Sequence, residues 1–447
     1  MGKLRRDDFG KDFVWGVATA SYQIEGAVRE DGRSPSIWDT FSHTPGKVKG
    51  GGNGDQACDF YHRYREDLAF VKQMNMRANR FSLAWPRILP EGTGKVNPKG
   101  LDFYQRVIDR TLELGLEPWV TLYHWDLPQV LEDRGGWTSR DIVGWFCEYA
   151  EVCTRAFGDR VKHWMVLNEP SVFTVLGYMQ GLHAPGRRGF AQWLPAIHHA
   201  ALAQAEGGRI VRANVKGAAV GTTFSSSYVQ PINSLPWHRG AAARYDAIAN
   251  RLFLEPALGL GYPIRTFPFL QPITRHFHPG DEKRLAFDFD FIGLQTYFRM
   301  LVRFSPTDMG SFAREVPHRV RTQEPLTEMG WEVYPPNIYH LLKQFAAYKG
   351  VRRIIVTENG AAYADEVRNG RVHDPLRLAY IRANLEQVLR AKREGVNVGG
   401  YLCWSLMDNF EWAEGYRPRF GLVYVDYTSQ RRILKDSGRW FAEFLAG

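Results

Sequence analysis

The sequence predicts a closed (β/α)8 barrel, a parallel α/β fold, and three observations predict it. Eight short, near-continuous apolar runs alternate with longer amphipathic stretches from one end of the chain to the other. The runs are apolar on both phases, as parallel strands buried on both faces must be. No Pro-, Gly- or Ser-rich linker divides the 447 residues, so 1–447 reads as one barrel domain. Length alone would suggest about three domains, but barrels grow large as single units. An open doubly wound sheet uses the same alternation, yet these units carry no phosphate-type Gly fingerprint.

The strands are expected at 13–18, 78–82, 118–123, 164–167, 218–222, 291–296, 354–357 and 398–403. Each run is short, rich in apolar or β-branched residues, and stops at polar or turn-forming residues. Two intervening helices are the clearest. Tyr104, Val107, Ile108, Thr111 and Leu112 recur at helical spacing behind Asn97-Pro98, with Pro98 in the tolerated first turn. Ile142, Trp145, Phe146, Tyr149 and Cys153 do the same, with Thr138 or Ser139 as a candidate cap. The glycine-rich stretch 50–54 and the stretch 304–323 read as loops on the barrel.

Composition narrows the function classes. Hydrophobic residues make up 44% and charged residues 23%, an ordinary globular balance. The 14 Trp and 20 Tyr are numerous enough that some must line a site, since these rings offer a flat face and a polar tip. The net charge of +9 is scattered arginine, with no basic run of the kind a nucleic-acid tail carries, so no nucleic-acid partner is expected. Cys58, Cys147, Cys153 and Cys403 show no CxxC spacing; Cys147 and Cys153 fall six apart on one helix and cannot bridge. Free thiols favour a reducing, cytoplasmic compartment. The first residues hold no apolar leader, and no apolar stretch approaches 18 residues, so no membrane partner is expected.

In a barrel of this kind, the site forms at the C-terminal ends of the strands. Glu169 and Glu358 each stand just past such a run. Either alone could merely end its strand, with Asn168 capping a helix or Asn359-Gly360 making a turn. As a pair, they are what glycosidic cleavage needs: one carboxyl to give and take a proton, one to bond the sugar carbon. The other strand ends carry Gln23, Arg80, His124, Asn168, Gln295, Tyr297, Trp404, Glu411 and Trp412. Amides, an imidazole, carboxylates and flat rings suit a sugar, whose hydroxyls need paired polar groups and whose C–H faces need an aromatic floor.

Five motifs in order resemble glycoside hydrolase family 1, the β-glucosidase family: NRFSLAWPR at 79–87, YHWDLP at 123–128, WMVLNEP at 164–170, TENG at 357–360 and WSLMDNFEWAEGY at 404–416. The similarity runs from about residue 9 to 444. It implies a retaining β-glycosidase, acting on small β-glycosides or short oligosaccharides as in cellulose and polysaccharide degradation, with no cofactor and no metal. Glu358 would be the nucleophile and Glu169 the acid/base, their carboxyls roughly 5–5.5 Å apart. Arg80 and Tyr297 would contact Glu358 and favour its ionised form. Glu169 would be protonated in the free enzyme because of Glu358 and apolar surroundings. Gln23 and Glu411 would hold the 3-, 4- and 6-hydroxyls, Asn168 and His124 the 2- and 3-hydroxyls, with Trp404 as platform and Trp412 beside it. Trp331 resembles the leaving-group platform, and a carboxylate at Glu411 disfavours a 6-phosphate. Glucose, galactose and fucose all remain open.

The sequence departs from the family at Gln295 and Thr296, where Asn and an aromatic are usual, and at Ser225, where many members have Asn. Ser225 is expected to bear on the leaving group and not on the chemistry. Rival readings are a transglycosidase using the same residues, a sugar-binding barrel without catalysis, and a metal-dependent barrel enzyme. The binding protein should lack Arg80 or one of the glutamates, and all are present; His198 and His199 are adjacent on a helix and face different ways.

Overall fold

The computed structural model describes residues 4–308 and 310–447. Eight parallel strands close into a barrel: β1 (Val14–Ala18), β2 (Ala78–Ser82), β3 (Glu117–Tyr123), β4 (His163–Asn168), β5 (Ala219–Ser225), β6 (Phe291–Gln295), β7 (Ile354–Asn359) and β8 (Val398–Trp404). Each strand pairs with the next in the chain, and β8 pairs with β1 to close the ring. The helices that cover the strands include α1 (Phe60–Gln73), α2 (Pro98–Glu113), α3 (Ile142–Phe157), α4 (Phe190–Asn214), α5 (Pro236–Asp246), α6 (Pro336–Ala346), α7 (Pro375–Arg393) and α8 (Asp436–Ala446).

All eight predicted runs are strands, and the two largest differences have one cause. An apolar reading stops where polar residues begin, but β5 runs on through Thr223 to Ser225 and β7 runs on through Glu358 to Asn359. The barrel carries its polar residues on the C-terminal ends of its own strands.

Two side-chain layers fill the barrel. Val14, Ala78, Trp119, Met165, Ala219, Phe291, Ile355 and Leu402, one from each strand, form an apolar plug at the N-terminal end. Side chains of one face recur every second residue. The next inward positions therefore include Arg80, Thr121 and Trp404, with Thr223 one step further along β5, and the interior turns polar toward the other mouth. Outside the ring, a larger apolar core joins strands to helices.

Three local expectations are corrected. In α2, Phe103, Tyr104, Val107, Ile108 and Thr111 are buried, but Leu112 is 39% exposed because it sits at the edge of that arc. Neither Thr138 nor Ser139 caps α3: Thr138 Oγ1 donates to the Gly135 carbonyl, and Ser139 Oγ accepts from the Asp141 amide in the turn before it. The stretch 304–323 is not all loop. Phe304 ends a strand, Met300–Phe304, that pairs antiparallel with Ala313–Glu315; Met309 lies outside the described residues. The four cysteines are free, and no described helix is long and apolar enough to cross a membrane.

The plug generates a stability prediction. Met165→Ala removes a buried side chain from a layer with no route to collapse, at an expected cost of about 2–5 kcal/mol. A denaturant midpoint that stays at the parental value would contradict the plug's role.

Candidate active site

Backbone irregularities aim the two carboxylates. With Ile355 pointing inward, strict alternation would put Glu358 on the helix side. Pairing of β7 slips between Val356 and Glu358 against β6, and between Val356 and Asn359 against β8. The slip returns Glu358 to the interior, as a bulge does next to many active sites. Strand β4 slips likewise between Met165 and Asn168 against β5. Glu169 follows in the left-handed region, φ 46° and ψ 60°, and Pro170 opens a short helix, Pro170–Thr174. A non-glycine residue held there costs about 1–3 kcal/mol, which the surrounding packing must supply. Gly360, after Glu358-Asn359, is required by space: a Cβ would collide with the Trp404 carbonyl.

Arg80 organises the floor of the site. It is completely buried, and its guanidinium donates to Glu358 Oε1 at 2.5 Å, Asn168 Oδ1 at 2.5 Å, the Thr357 carbonyl at 3.3 Å and Thr121 Oγ1 at 3.1 Å. Tyr297 donates its hydroxyl to Glu358 Oε2 at 2.7 Å. Gln295 Nε2 donates both to Glu358 Oε1 and to Asn168 Oδ1, each at 2.8 Å. The glutamine thus bridges strands β4 and β7, and its amide reaches the carboxylate despite the added methylene.

The network fixes a tautomer. Asn168 Oδ1 accepts from Arg80, Gln295 and Thr223, so its amide nitrogen faces His124 Nε2 at 2.9 Å. That nitrogen of His124 must accept, which leaves the proton on Nδ1. Burial and then Arg80 hold the His124 pKa well below its ordinary value, so the ring is neutral. His124 Nδ1 has no protein partner among the described residues. The same is true of Gln23 Oε1, whose Nε2 is held by Asn409 Oδ1, the Phe410 carbonyl and Glu411 Oε2.

The two carboxyls do not share one environment. Burial raises Glu169 well above the usual range, and the negative Glu358 pushes it further. Burial also raises Glu358, and Arg80 and Tyr297 pull it down against that larger desolvation cost. Glu169 has no such cation bonded to it and holds its proton more tightly. Ser225 lies beside Glu169 and lowers its pKa. Burial and then Glu358 raise Glu411 to about 8, and the Tyr297 phenol is pushed far up, so it stays a donor.

These groups open into a cavity of about 640 Å³ at the C-terminal mouth of the barrel. Its wall includes His124, Glu169, Tyr297, Trp331, Glu358, Trp404, Glu411 and Trp412. Gln23, Arg80, Asn168 and Gln295 stand immediately behind that wall, fully buried and bonded to its members. Trp412 packs against Trp125 and Trp38, each with ring centroids 4.6 Å away, and Trp331 lies 5.5 Å from Tyr297. The wall holds no Lys or Arg among the described residues. His198 and His199 are elsewhere, bonded to Asp281 and to the Trp137 carbonyl, and no described cluster of three His, Cys, Asp or Glu is placed to hold a metal. The supporting residues Thr121 and Thr223 carry no sequence signal, because threonine at a strand end is common for other reasons.

A sugar-sized cavity with two carboxyls of unequal proton affinity, at the mouth of a parallel barrel, is the site class of glycoside hydrolases. Comparison of sequences names the family: the profile of glycosyl hydrolase family 1 matches residues 5–447, and the chain belongs to that family. It is 46% identical over 442 residues to the 1,4-beta-D-glucan glucohydrolase of Thermotoga neapolitana, covering 98% of each chain. It is 46% identical to beta-glucosidase A of Thermotoga maritima, covering 97% of each. The solved structure of the Thermotoga maritima beta-glucosidase in complex with deoxynojirimycin superposes with a TM-score of 0.94 at 44% identity, over 98% of each chain.

The Arg80–Glu358 pair predicts a measurable shift. Arg80→Met leaves Glu358 buried without its cation, and its pKa should rise by about 1–3 units. An isotope-edited infrared or NMR carboxyl titration that shows no rise would refute the assignment.

Proposed function

We propose that the whole chain acts as one catalytic unit, a retaining β-glucosidase that cleaves terminal β-D-glycosyl residues from small glycosides and short oligosaccharides. The observation that carries this reading is the split between the two carboxyls. Glu358 is bonded to a buried guanidinium and a phenol, while Glu169 is buried against it without a cation of its own. Relatives named for β-glucosidase and glucan glucohydrolase activity support it. So do solved relatives carrying cyclophellitol and deoxynojirimycin ligands.

The reaction follows from these states. The Glu358 carboxylate attacks the anomeric carbon as the glycosidic C–O bond breaks, and the Glu169 proton passes to the departing oxygen. Esterification removes the Glu358 charge, so the repulsion that raised Glu169 disappears and its pKa falls. Glu169 then takes a proton from water, the water oxygen bonds the anomeric carbon, and Glu358 leaves as a carboxylate. Arg80 and Tyr297 hold Glu358 in place, and Gln295 steadies it from the side. Trp404 and Trp412 floor the sugar, with His124, Glu411 and Gln23 on its hydroxyls and Asn168 orienting His124. Trp331 faces the leaving group. With no Lys or Arg in the wall, and carboxyls around it, an unphosphorylated sugar is the substrate class. The free thiols, three of them buried, suit a cytoplasmic enzyme.

Two tests follow. Activated 2-deoxy-2-fluoro glucoside or galactoside should leave a single sugar mass on the peptide holding Glu358, because the fluorine slows breakdown of the intermediate. An adduct on another peptide, or none in a protein that also spares simple aryl glycosides, would overturn the reading. The kcat/KM profile should be bell-shaped. Its acid limb is Glu358 gaining a proton as pH falls, and its alkaline limb is Glu169 losing one as pH rises. In Glu169→Gln the alkaline limb should vanish, and the rate on poor leaving groups should drop about 10²–10⁴-fold.

A further inference from the structure

Behind the sugar end of the cavity lies a cluster of charge that the reaction does not use. Three carboxylates, Asp365, Asp374 and Asp408, meet three cations, Arg377, Arg419 and Lys435. Lys435 is fully buried, and its ammonium donates to Asp365 Oδ2 and to Asp408 Oδ1, each at 2.5 Å. Arg419 donates to Asp408 Oδ2 at 2.7 Å. Arg377 donates to the two oxygens of Asp365 at 3.1 and 2.6 Å, and to Asp374 Oδ2 at 2.5 Å. Asp374 in turn accepts from the Ser437 amide at 2.8 Å. Only Arg419 reaches the surface, its side chain 16% exposed.

The members come from separate stretches of the chain. Asp365 follows β7, Asp374 and Arg377 stand at the start of α7, Asp408 and Arg419 follow β8, and Lys435 directly precedes α8. One ammonium from the C-terminal segment therefore joins the loop after the Glu358 strand to the loop after β8. Asp408 carries that link to the sugar end. In the segment 405–411, Asn409 Oδ1, the Phe410 carbonyl and Glu411 Oε2 all accept from Gln23 Nε2, at 3.0, 2.9 and 3.3 Å. Among the described ion pairs, Asp408 is the one member of this segment that takes part. Its two oxygens accept from Lys435, from Arg419, and from the Gly421 and Val425 amides at 3.0 and 3.4 Å. None of these four donors belongs to the cavity wall.

A buried ion pair adds little net stability over apolar side chains of the same volume, but it is demanding in geometry and costly to break on one side. Such a cluster is suited to fixing position. We propose that Lys435 is a positioning residue for the sugar: through Asp408 it fixes the segment 405–411, and so sets how strongly the enzyme reads the 4- and 6-hydroxyls. It touches no substrate. The proposal rests on the glycosidase reading, in which Glu411 and Gln23 meet that side of the ring, and adds a residue of the C-terminal segment to it. The 2-hydroxyl side is held differently. Asn168, which orients His124, is bonded to Arg80 and Gln295, and neither of these bonds a member of the cluster.

The test is kcat/KM for 4-nitrophenyl β-D-glucoside beside its 6-deoxy and 2-deoxy analogues. In the parent protein each missing hydroxyl should cost about tenfold. Lys435→Met combined with Asp408→Asn removes one charge of each sign, and Asp365 keeps Arg377. In that variant the 6-hydroxyl factor should fall below about threefold while the 2-hydroxyl factor holds. Arg419→Gln reaches the same carboxylate from the partly exposed edge without emptying the core, and should lower the 6-hydroxyl factor by a smaller amount. Both factors are ratios within one preparation, so any loss of folded protein cancels. A 6-hydroxyl factor unchanged in these variants, or an equal fall in both factors, would overturn the proposal. So would a parent protein indifferent to the 6-hydroxyl. Failure of the parent to cleave even 2,4-dinitrophenyl β-D-glucoside, whose leaving group needs no proton, would remove the glycosidase reading and this proposal with it.

Discussion

A guanidinium with no access to water needs its charge answered and its hydrogens accepted, and the mouth of this barrel is arranged around that demand. Arg80 comes from β2, Thr121 from β3, Asn168 from β4 and Glu358 from β7. One buried cation therefore ties four strands together across the interior. Removing either partner of such a pair leaves an uncompensated buried charge, at an expected cost of about 3–5 kcal/mol. The requirement propagates outward. Asn168, once its oxygen is committed to Arg80, can only present its nitrogen to His124, and that choice sets which imidazole nitrogen carries the proton. The state of a ring at the cavity wall is thus decided by an arginine behind it.

The second organising feature is the division of labour along each strand. Eight apolar side chains close the N-terminal end, and every group assigned to bond making lies at the other end. Pairing slips in β4 and β7 fall on the two strands that lead into the carboxyls. Register is sacrificed where aim is required, and Glu169 bears the further strain of a left-handed backbone. Apart from one further slip at Gly399 of β8, the rest of the barrel keeps regular pairing and supplies the rigidity that such local distortion needs.

Much of this was readable from residue order. The eight runs, the parallel closure and the two glutamates follow from apolar continuity and from where it stops. What the pattern missed is informative. The last residues of β5 and β7 are polar, so a hydrophobic criterion ends those strands early, just where the site begins. Leu112 fits a helical spacing but lies at the edge of its arc, and only the packing of α2 decides the matter. Ser225 reads as a leaving-group residue by its place in the family pattern, and in three dimensions it also lies near Glu169 and lowers its pKa. The direction of a hydroxyl and the balance of burial against a cation at Glu358 are properties of three-dimensional neighbours, which linear spacing does not encode.

The plug of the barrel has a kinetic meaning as well as a mechanical one. It makes the cavity a blind well with a single mouth, and traffic through a dead end has an order. The sugar enters first and lies deepest, and the group attached to it occupies the way out. After the first bond breaks, the outer fragment must diffuse off before water can reach the ester, and the sugar can depart only through the space just vacated. Free sugar therefore competes with fresh substrate for the empty enzyme, whereas an accumulated alcohol meets the loaded enzyme and draws the reaction backward or into transfer. The shape of the floor, far from any reacting atom, dictates which product throttles the enzyme and which one it recycles.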